Sequence, residues 1–482
     1  MDLEHLLGQK LLFAFHGKET LSPEIIEAFQ KYHPSGISLF RSLNIGTLAQ
    51  VRELNDSLQR LARDLDLPLL FIATDQEGGQ LMAIGDGTPL PGNMALGATR
   101  SAELARKAGE VLGREMSALG FNVNYAPCAD VNINPQNPVV GVRSFGEDPH
   151  LVAELTAAMI EGMQSQGVAA TVKHFPGHGD TASDSHHSLG TVPHTLERLR
   201  AVELPPFDAA LKADVKLVMT AHLGITSIDG SDAAPATLSA NIINGLLRRD
   251  LGFDGVVITD AMDMRAIRQG EALREESLRA AKAGADLLLN TSDPQDQTRA
   301  FEGLLQGVKD GQLTMDELQT SVEHISRLKQ WITEHSISHD LSVIRSAEHL
   351  KIADEIAEKS ITLVRDENNY LPLKLESDQR IAVVVPQPQD LTPADTSSYI
   401  HPKLAESIRE YHARADEFVI PYSPSEQESA SALERVREYD VIVVGTINAY
   451  AEEKQAQFVR NLLNLGKPVI VIAMRLPYDL AS

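Results

Sequence analysis

The chain is almost without cysteine: Cys128 is the only one in 482 residues. A single thiol excludes an intrachain disulfide and any zinc site built on several cysteines. Its setting, Tyr125-Ala126-Pro127-Cys128-Ala129, reads as a buried structural thiol rather than a nucleophile. Positive charge is also scarce, with 43 Lys and Arg against 67 Asp and Glu and a formal net charge of −24. Phosphate contacts need clustered Lys and Arg, so the charge argues against a general nucleic-acid binder and against adsorption to anionic lipid. No apolar run reaches membrane-spanning length. The N-terminus, Met1-Asp2-Leu3-Glu4-His5-Leu6, has no basic n-region and no long apolar h-region, so the expectation is a soluble, cytoplasmic protein. There is no internal repeat, low-complexity tract or nucleotide phosphate loop. The glycines of Asp75-Gln76-Glu77-Gly78-Gly79 and Gly177-His178-Gly179 lack phosphate-loop spacing.

What is present is a regular alternation. Eight short apolar, β-branched runs lie at Leu11–Phe15, Gly36–Phe40, Leu69–Thr74, Asn122–Ala126, Val168–Lys173, Lys216–Ala221, Gly255–Thr259 and Ala285–Asn290. Helical periodicity separates them at Thr47–Leu65, Ser101–Leu119, Pro149–Gln166, Thr195–Lys212, Thr237–Arg249 and Glu271–Gly284. Near-continuous apolar strands alternating with helices mean a parallel sheet buried on both faces. Eight units point to an α/β fold of the (β/α)₈ TIM-barrel type, with an open doubly wound sheet as the alternative. Polar residues favour the barrel. Asp75, Asp130, Lys173 with His174, His222 and Asp260 each fall just past a different strand, and only a barrel brings all those ends to one mouth. The barrel is expected over 1–333, a polar linker over 334–345, and a smaller α/β open-sheet sandwich domain over 346–482. That second domain opens with a helix at Ala347–Glu358 and has strands at Ile381–Val385, Glu417–Ile420, Val441–Val444 and Pro468–Ala473. The last strand has no helix after it to cover it, so the second domain is expected to be shortened at its C-terminus.

The chemistry concentrates in Lys173-His174-Phe175-Pro176-Gly177-His178-Gly179, followed four residues later by Asp184-Ser185-His186. Titratable residues on a Gly- and Ser-rich loop after a core strand are more often chemistry than packing. An acid two residues from an imidazole can fix its tautomer and raise its basicity, giving a proton shuttle near neutral pH. Asp260, directly after Val256-Val257-Ile258-Thr259, can be a nucleophile, a general base or a metal ligand; as a helix N-cap, Asp263 fits better. A mononuclear metal site of His174, His178, His186 and Asp260 is a rival reading. Pro176, Gly177 and Gly179 prevent His174 and His178 from sharing a helical face, and Phe13-Ala14-Phe15 offers no His-x-His on the first strand. No metal and no cofactor is therefore expected.

These residues resemble family 3 glycoside hydrolases, specifically the β-N-acetylglucosaminidase branch. The signature Lys-His-Phe-Pro-Gly-His-Gly, four free positions, then Asp-Ser-His is matched by Lys173–Gly179 and Asp184–His186. The nucleophile strand Ile258–Met264, Asp75–Gly79 and Asn137–Gly146 match as well. The resemblance implies a retaining exo-β-N-acetylglucosaminidase acting on terminal β-GlcNAc. In it Asp260 is the nucleophile, His186 the acid/base and Asp184 its partner. Asp75, Arg143, Lys173 and His174 are then sugar contacts, and His222 belongs to the same substrate-binding group with a supporting role. The implied partner is a small carbohydrate, with GlcNAc-β-1,4-MurNAc fragments of cell-wall recycling the expected source. A phosphorylase variant is the nearest alternative, because a neutral histidine does not repel phosphate; a metal-dependent hydrolase and a non-catalytic sugar binder are more distant ones. One departure stands out: Gln80 and Ala83 occupy positions where the branch often has arginines.

Overall fold

The structure, a computed structural model, describes residues 2–18, 21–181, 189–290 and 292–481. The eight apolar runs become eight parallel strands: β1 Leu11–Phe13, β2 Gly36–Ser38, β3 Phe71–Thr74, β4 Val123–Asn124, β5 Ala169–Phe175, β6 Leu217–Thr220, β7 Val256–Thr259 and β8 Leu288–Leu289. Consecutive strands pair from β1 to β7, and β1 also pairs with β8. A parallel bridge between Ile258 and Leu287 joins β7 to the start of β8, closing the sheet into a barrel. The open-sheet alternative is thereby excluded.

Each strand is followed by a helix: α1 Pro23–Tyr32, α2 Leu48–Asp64, α3 Ala102–Ala118, α4 Pro149–Gln164, α5 Pro205–Lys212, α6 Asn241–Asp250, α7 Leu273–Ala283 and α8 Pro294–Lys309. Ser22, Thr47, Ser101, Asp148 and Asp293 cap their helices by accepting first-turn N–H groups. The single helix expected over 195–212 is two. Leu196–Ala201 ends, and α5 restarts at Pro205 and Pro206, which have no N–H to continue the earlier ladder but suit a first turn.

Strand parity decides what faces the lumen. Phe71, Ala73, Leu217, Met219, Val256 and Ile258 pack inside the barrel, whereas Ile72, Val218 and Val257 belong to the outer core beneath the helices. Side chains two apart share a face. Continuing that parity upward, Asp75, Lys173 and Asp260 are delivered to the mouth. The opposite end is closed by helix α9, Met315–His335, whose Ile325, Leu328 and Ile332 join the lumen core.

The chain divides into two compact units, Met1–Ile361 and Thr362–Ser482. Helix α10, Ala347–Ser360, expected to open the second domain, belongs to the first. Buried Glu115 on α3 explains why. Its carboxylate accepts from Arg345 N at 2.9 Å and lies 2.9 Å from His349 Nδ1, so the supposed linker and α10 are fastened to the barrel. The second unit is a four-stranded parallel sheet, β9 Ile381–Pro386, β10 Ala415–Ile420, β11 Val441–Thr446 and β12 Val469–Ala473, in the order β10-β9-β11-β12. Apolar clusters line both of its faces.

Candidate active site

At the barrel mouth, four charged side chains form one cluster: Asp75 and Glu77 from the end of β3, Lys173 from β5, and Arg143 from the 3-10 turn Gly141–Arg143 in the loop after β4. Glu77 follows Asp75 at the next same-face position and enters a small hairpin, Gln76–Gly78 against Leu81–Met82. Its carboxylate takes the Arg143 guanidinium side-on, with Nε to Oε2 at 2.9 Å and Nη2 to Oε1 at 2.8 Å. Lys173 Nζ lies 2.6 Å from both Glu77 Oε1 and Asp75 Oδ1. Lys173 and Glu77 are 2% exposed, whereas Asp75 is 25% exposed and is the member that meets solvent. Burial alone would raise the Glu77 pKa, but Arg143 and Lys173 outweigh it and hold the acid down at about 2. Burial likewise works against the Lys173 ammonium, and Asp75 and Glu77 overcome it, leaving its pKa raised. Two anions thus neutralise two cations, the condition for burying any of them.

A second cluster lies beneath, around fully buried Asp130. Its Oδ2 is 2.7 Å from His174 Nδ1 and 3.2 Å from the Cys128 thiol, while Oδ1 accepts from His178 N at 2.6 Å and His174 N at 3.3 Å. Burial opposes the charge, yet the histidines drive the acid well below the usual carboxylate range. On its other side, His174 Nε2 faces Arg143 Nη2, a pure donor, at 3.5 Å. The ring therefore carries its proton on Nδ1 and accepts on Nε2. Burial, with Asp130 beside it, pushes the Cys128 thiol up, so the expected structural thiol is what the structure contains. His178 is buried with its pKa pulled down to about 4, chiefly by burial. Its ring lies 2.9 Å from Thr181 Oγ1, so it supports the turn. Gly179 has no alternative there, because a Cβ would stand 1.8 Å from Val131 O.

Asp260 sits at the end of β7, half-buried, with Oδ1 accepting from Ala261 N at 2.8 Å. Burial chiefly raises the pKa of Tyr125, with smaller contributions from the charges of Asp75 and Asp260, and Asp260 acts on His178 too. The three strand ends therefore converge on one electrostatic site. His222 is different. Fully buried, it places Nδ1 2.8 Å from Thr237 Oγ1 and Nε2 2.9 Å from Ala261 O. Both ring nitrogens lie within hydrogen-bond distance of protein atoms, so His222 braces the Asp260 segment. Asp184 and His186 lie outside the described residues.

The comparisons with known proteins can be set on this geometry. The model of the glycosyl hydrolase family 3 N-terminal domain matches residues 7–328. The chain belongs to glycosyl hydrolase family 3. Beta-hexosaminidase A of Pseudoalteromonas piscicida is 30% identical over 100% of this chain and 89% of its own. A beta-hexosaminidase of Nitrosomonas eutropha is 34% identical over 57% of this chain and 79% of its own. Among solved structures, a family 3 beta-N-acetylglucosaminidase from Paenibacillus sp. str. FPU-7 superposes with a TM-score of 0.93 at 38% identity, covering 100% of this chain and 91% of that one. As a family 3 member the chain is a glycoside hydrolase with a TIM barrel and a second α/β domain.

Two residues of this site escaped sequence reasoning as functional groups: Glu77, and Asp130 beyond its place at a strand end. The signal for Glu77 was available, since 71, 73, 75 and 77 run along one face. At the departure noted above, Ala83 is buried and its N–H holds Asp75 O at 3.2 Å. Arg41, from the loop after β2, reaches this same hairpin, donating from Nη1 to Met82 O at 3.1 Å.

Proposed function

We propose that this protein is a retaining exo-β-N-acetylglucosaminidase that removes terminal, non-reducing β-linked GlcNAc. The observation that carries the reading is the neutralised Asp75–Glu77–Arg143–Lys173 cluster, at the same end of the barrel as Asp260, in a chain that superposes on a family 3 beta-N-acetylglucosaminidase. Asp75, the exposed member, and the edges of Arg143, Lys173 and His174 are suited to bind sugar hydroxyls and the N-acetyl group. An uncharged ligand needs such donors and acceptors without a net field.

In the first step an Asp260 oxygen attacks the anomeric carbon while the glycosidic oxygen departs, taking a proton from His186. A covalent glycosyl-aspartate results. In the second step His186, now neutral, takes a proton from water, the water oxygen bonds to the same carbon, and the Asp260 carboxylate leaves with its electron pair. Asp184 orients the imidazole. No step calls for a metal or cofactor. The substrate source we propose is GlcNAc-β-1,4-MurNAc fragments inside the cell.

The test is hydrolysis of an aryl β-GlcNAc against the matching aryl β-glucoside, each with and without phosphate. We expect preference for the GlcNAc substrate and free GlcNAc as product in both buffers. Preference for the glucoside, or GlcNAc-1-phosphate as product, overturns the reading.

A further inference from the structure

Strand parity gives Asn124 an address that suits it poorly. Val123 and Tyr125, on either side of it, pack inside the barrel, so the Asn124 side chain turns outward. Outward positions on other strands hold Ile72, Val218 and Val257, in the apolar layer beneath the helices. Asn124 is fully buried. A buried amide costs stability unless its donor and acceptor are both satisfied, so a hydrocarbon side chain would serve such a layer better. The partners of the amide show what it does instead.

β3 and β4 pair at Ala73 with Val123 and at Thr74 with Asn124, and Tyr125 N donates to Thr74 O at 2.9 Å. Past Thr74 the chain turns away into the hairpin of Gln76–Gly78 against Leu81–Met82. The Asn124 side chain carries the ladder one step further. Its Oδ1 accepts from Gln76 N at 3.0 Å, and its Nδ2 donates to Gln76 O at 2.9 Å. An N–H on one side and a carbonyl on the other fix which way the amide points. One side chain thus holds the peptide that joins Asp75 to Gln76 and the peptide that joins Gln76 to Glu77. The two acids depend on this clamp unequally. Glu77 is held at two points by Arg143 and at a third by Lys173. Among the described residues the Asp75 carboxylate pairs with Lys173 alone, and it shares that lysine with Glu77. The aim of Asp75 is therefore set mainly by its backbone, and Asn124 fixes that backbone.

We propose that Asn124 is a positioning residue: by clamping Gln76 through both of its peptide groups, it aims the Asp75 carboxylate at the sugar in the barrel mouth. This rests on the reading of Asp75 as a sugar contact. The test is a double-mutant cycle with Asp75, read as kcat/KM on dinitrophenyl β-GlcNAc, whose good leaving group keeps weak variants measurable. In the otherwise native enzyme, Asn124→Ala should lose roughly 10- to 100-fold, the scale of a binding group displaced by about 1 Å. In the Asp75→Ala enzyme the same change should lose less than about 3-fold further, because no carboxylate remains to be aimed. A side chain that only supports the fold costs the same factor in both backgrounds, and that result overturns the proposal. If Asp75→Ala itself loses nothing, the sugar contact fails and the proposal falls with it. If Asp75→Ala loses activity while Asn124→Ala does not, the contact stands and the proposal alone fails. Should Asn124→Ala not fold, Asn124→Ser, which keeps one hydrogen-bonding group, takes its place in the cycle with the same outcomes deciding. Failure of both to fold assigns Asn124 to the fold and overturns the proposal.

Discussion

Replacing Lys329 with methionine should make the barrel more stable near neutral pH, by an amount that shrinks as pH rises. Lys329 lies on α9, 6% exposed, with its amine 2.8 Å from Gln9 Oε1 and 5.2 Å from the centre of the Phe71 ring. Among the described residues no carboxylate pairs with it, and burial pulls its pKa down to about 7. In the unfolded chain a lysine titrates near 10.4. Between those values the unfolded state binds the extra proton, so stability rises with pH from about 7 to about 10.4 and the handicap disappears above that. At 1.36 kcal/mol per pH unit the handicap is about 4 kcal/mol at pH 7 and about 2 kcal/mol at pH 9. Methionine matches the stem and forfeits the bond to Gln9, worth about 1 kcal/mol. Lys329→Met should therefore gain about 2–3 kcal/mol at pH 7 and close to 1 kcal/mol at pH 9, a rise in Tm of several degrees that narrows with pH. Calorimetry of both proteins from pH 6.5 to 9.5 reads this directly. A constant gap across that range, or a less stable variant at pH 7, refutes the reasoning. Lys10, whose pKa is lowered to about 8 by burial, titrates alike in both proteins and cancels from the comparison.

Glu77→Gln should cost about 3 kcal/mol at pH 7 by unpairing Arg143 and Lys173, and should lower kcat/KM on aryl β-GlcNAc. Because the Glu77 pKa is depressed, that contribution is present above about 4.3 and lost only as pH falls through about 2, so chemical denaturation at pH 5 and 7 should show the same deficit. Asp260→Ala should reduce turnover by at least about 10³-fold, and mass spectrometry of the wild type stalled with an activated fluoro-glycoside should find the sugar on the peptide containing Asp260. Cys128 should resist alkylation in the folded protein and react once denatured, as a buried thiol with raised pKa must. Excess chelator should leave aryl β-GlcNAc hydrolysis unchanged.

The barrel was legible because each strand is buried on both faces and so is written as an apolar run that no loop imitates. Helix interiors were read less well where a local rule intervened, as at Pro205, which splits the stretch expected to run from 195 to 212. The domain boundary was hidden for a different reason. The segment over 334–345 is polar in composition, and only the fold reveals that Glu115, over 200 residues earlier, holds Arg345 and His349. The site follows the same division. Asp75, Lys173 and Asp260 stand at strand ends and can be found by position. Glu77 and Asp130 act through partners, and a partner is a fact of three dimensions. His222 was also found by position, but its strand-end address says nothing of the Thr237 hydroxyl and Ala261 carbonyl that contact its ring.

The charge arrangement bears on which acceptor the enzyme favours. Arg143 is bound side-on by Glu77, and Lys173 lies between Glu77 and Asp75, so both cations are matched before any ligand arrives. A neutral sugar can add hydrogen bonds to the edges of such a cluster without disturbing it. A phosphate entering as the second reactant would have to draw a cation out of a buried ion pair, and breaking one leaves an uncompensated charge at a cost of about 3–5 kcal/mol. In the proposed mechanism Asp260 is released as a carboxylate in that same step and would repel the incoming anion further. Water meets neither penalty. The histidine acid/base of the proposed mechanism removes one obstacle to phosphate, but Arg143 and Lys173 are already committed to Glu77 and Asp75. The net charge of −24 acts in the same direction at long range. Hydrolysis is therefore the outcome that both the local ion pairs and the overall field favour.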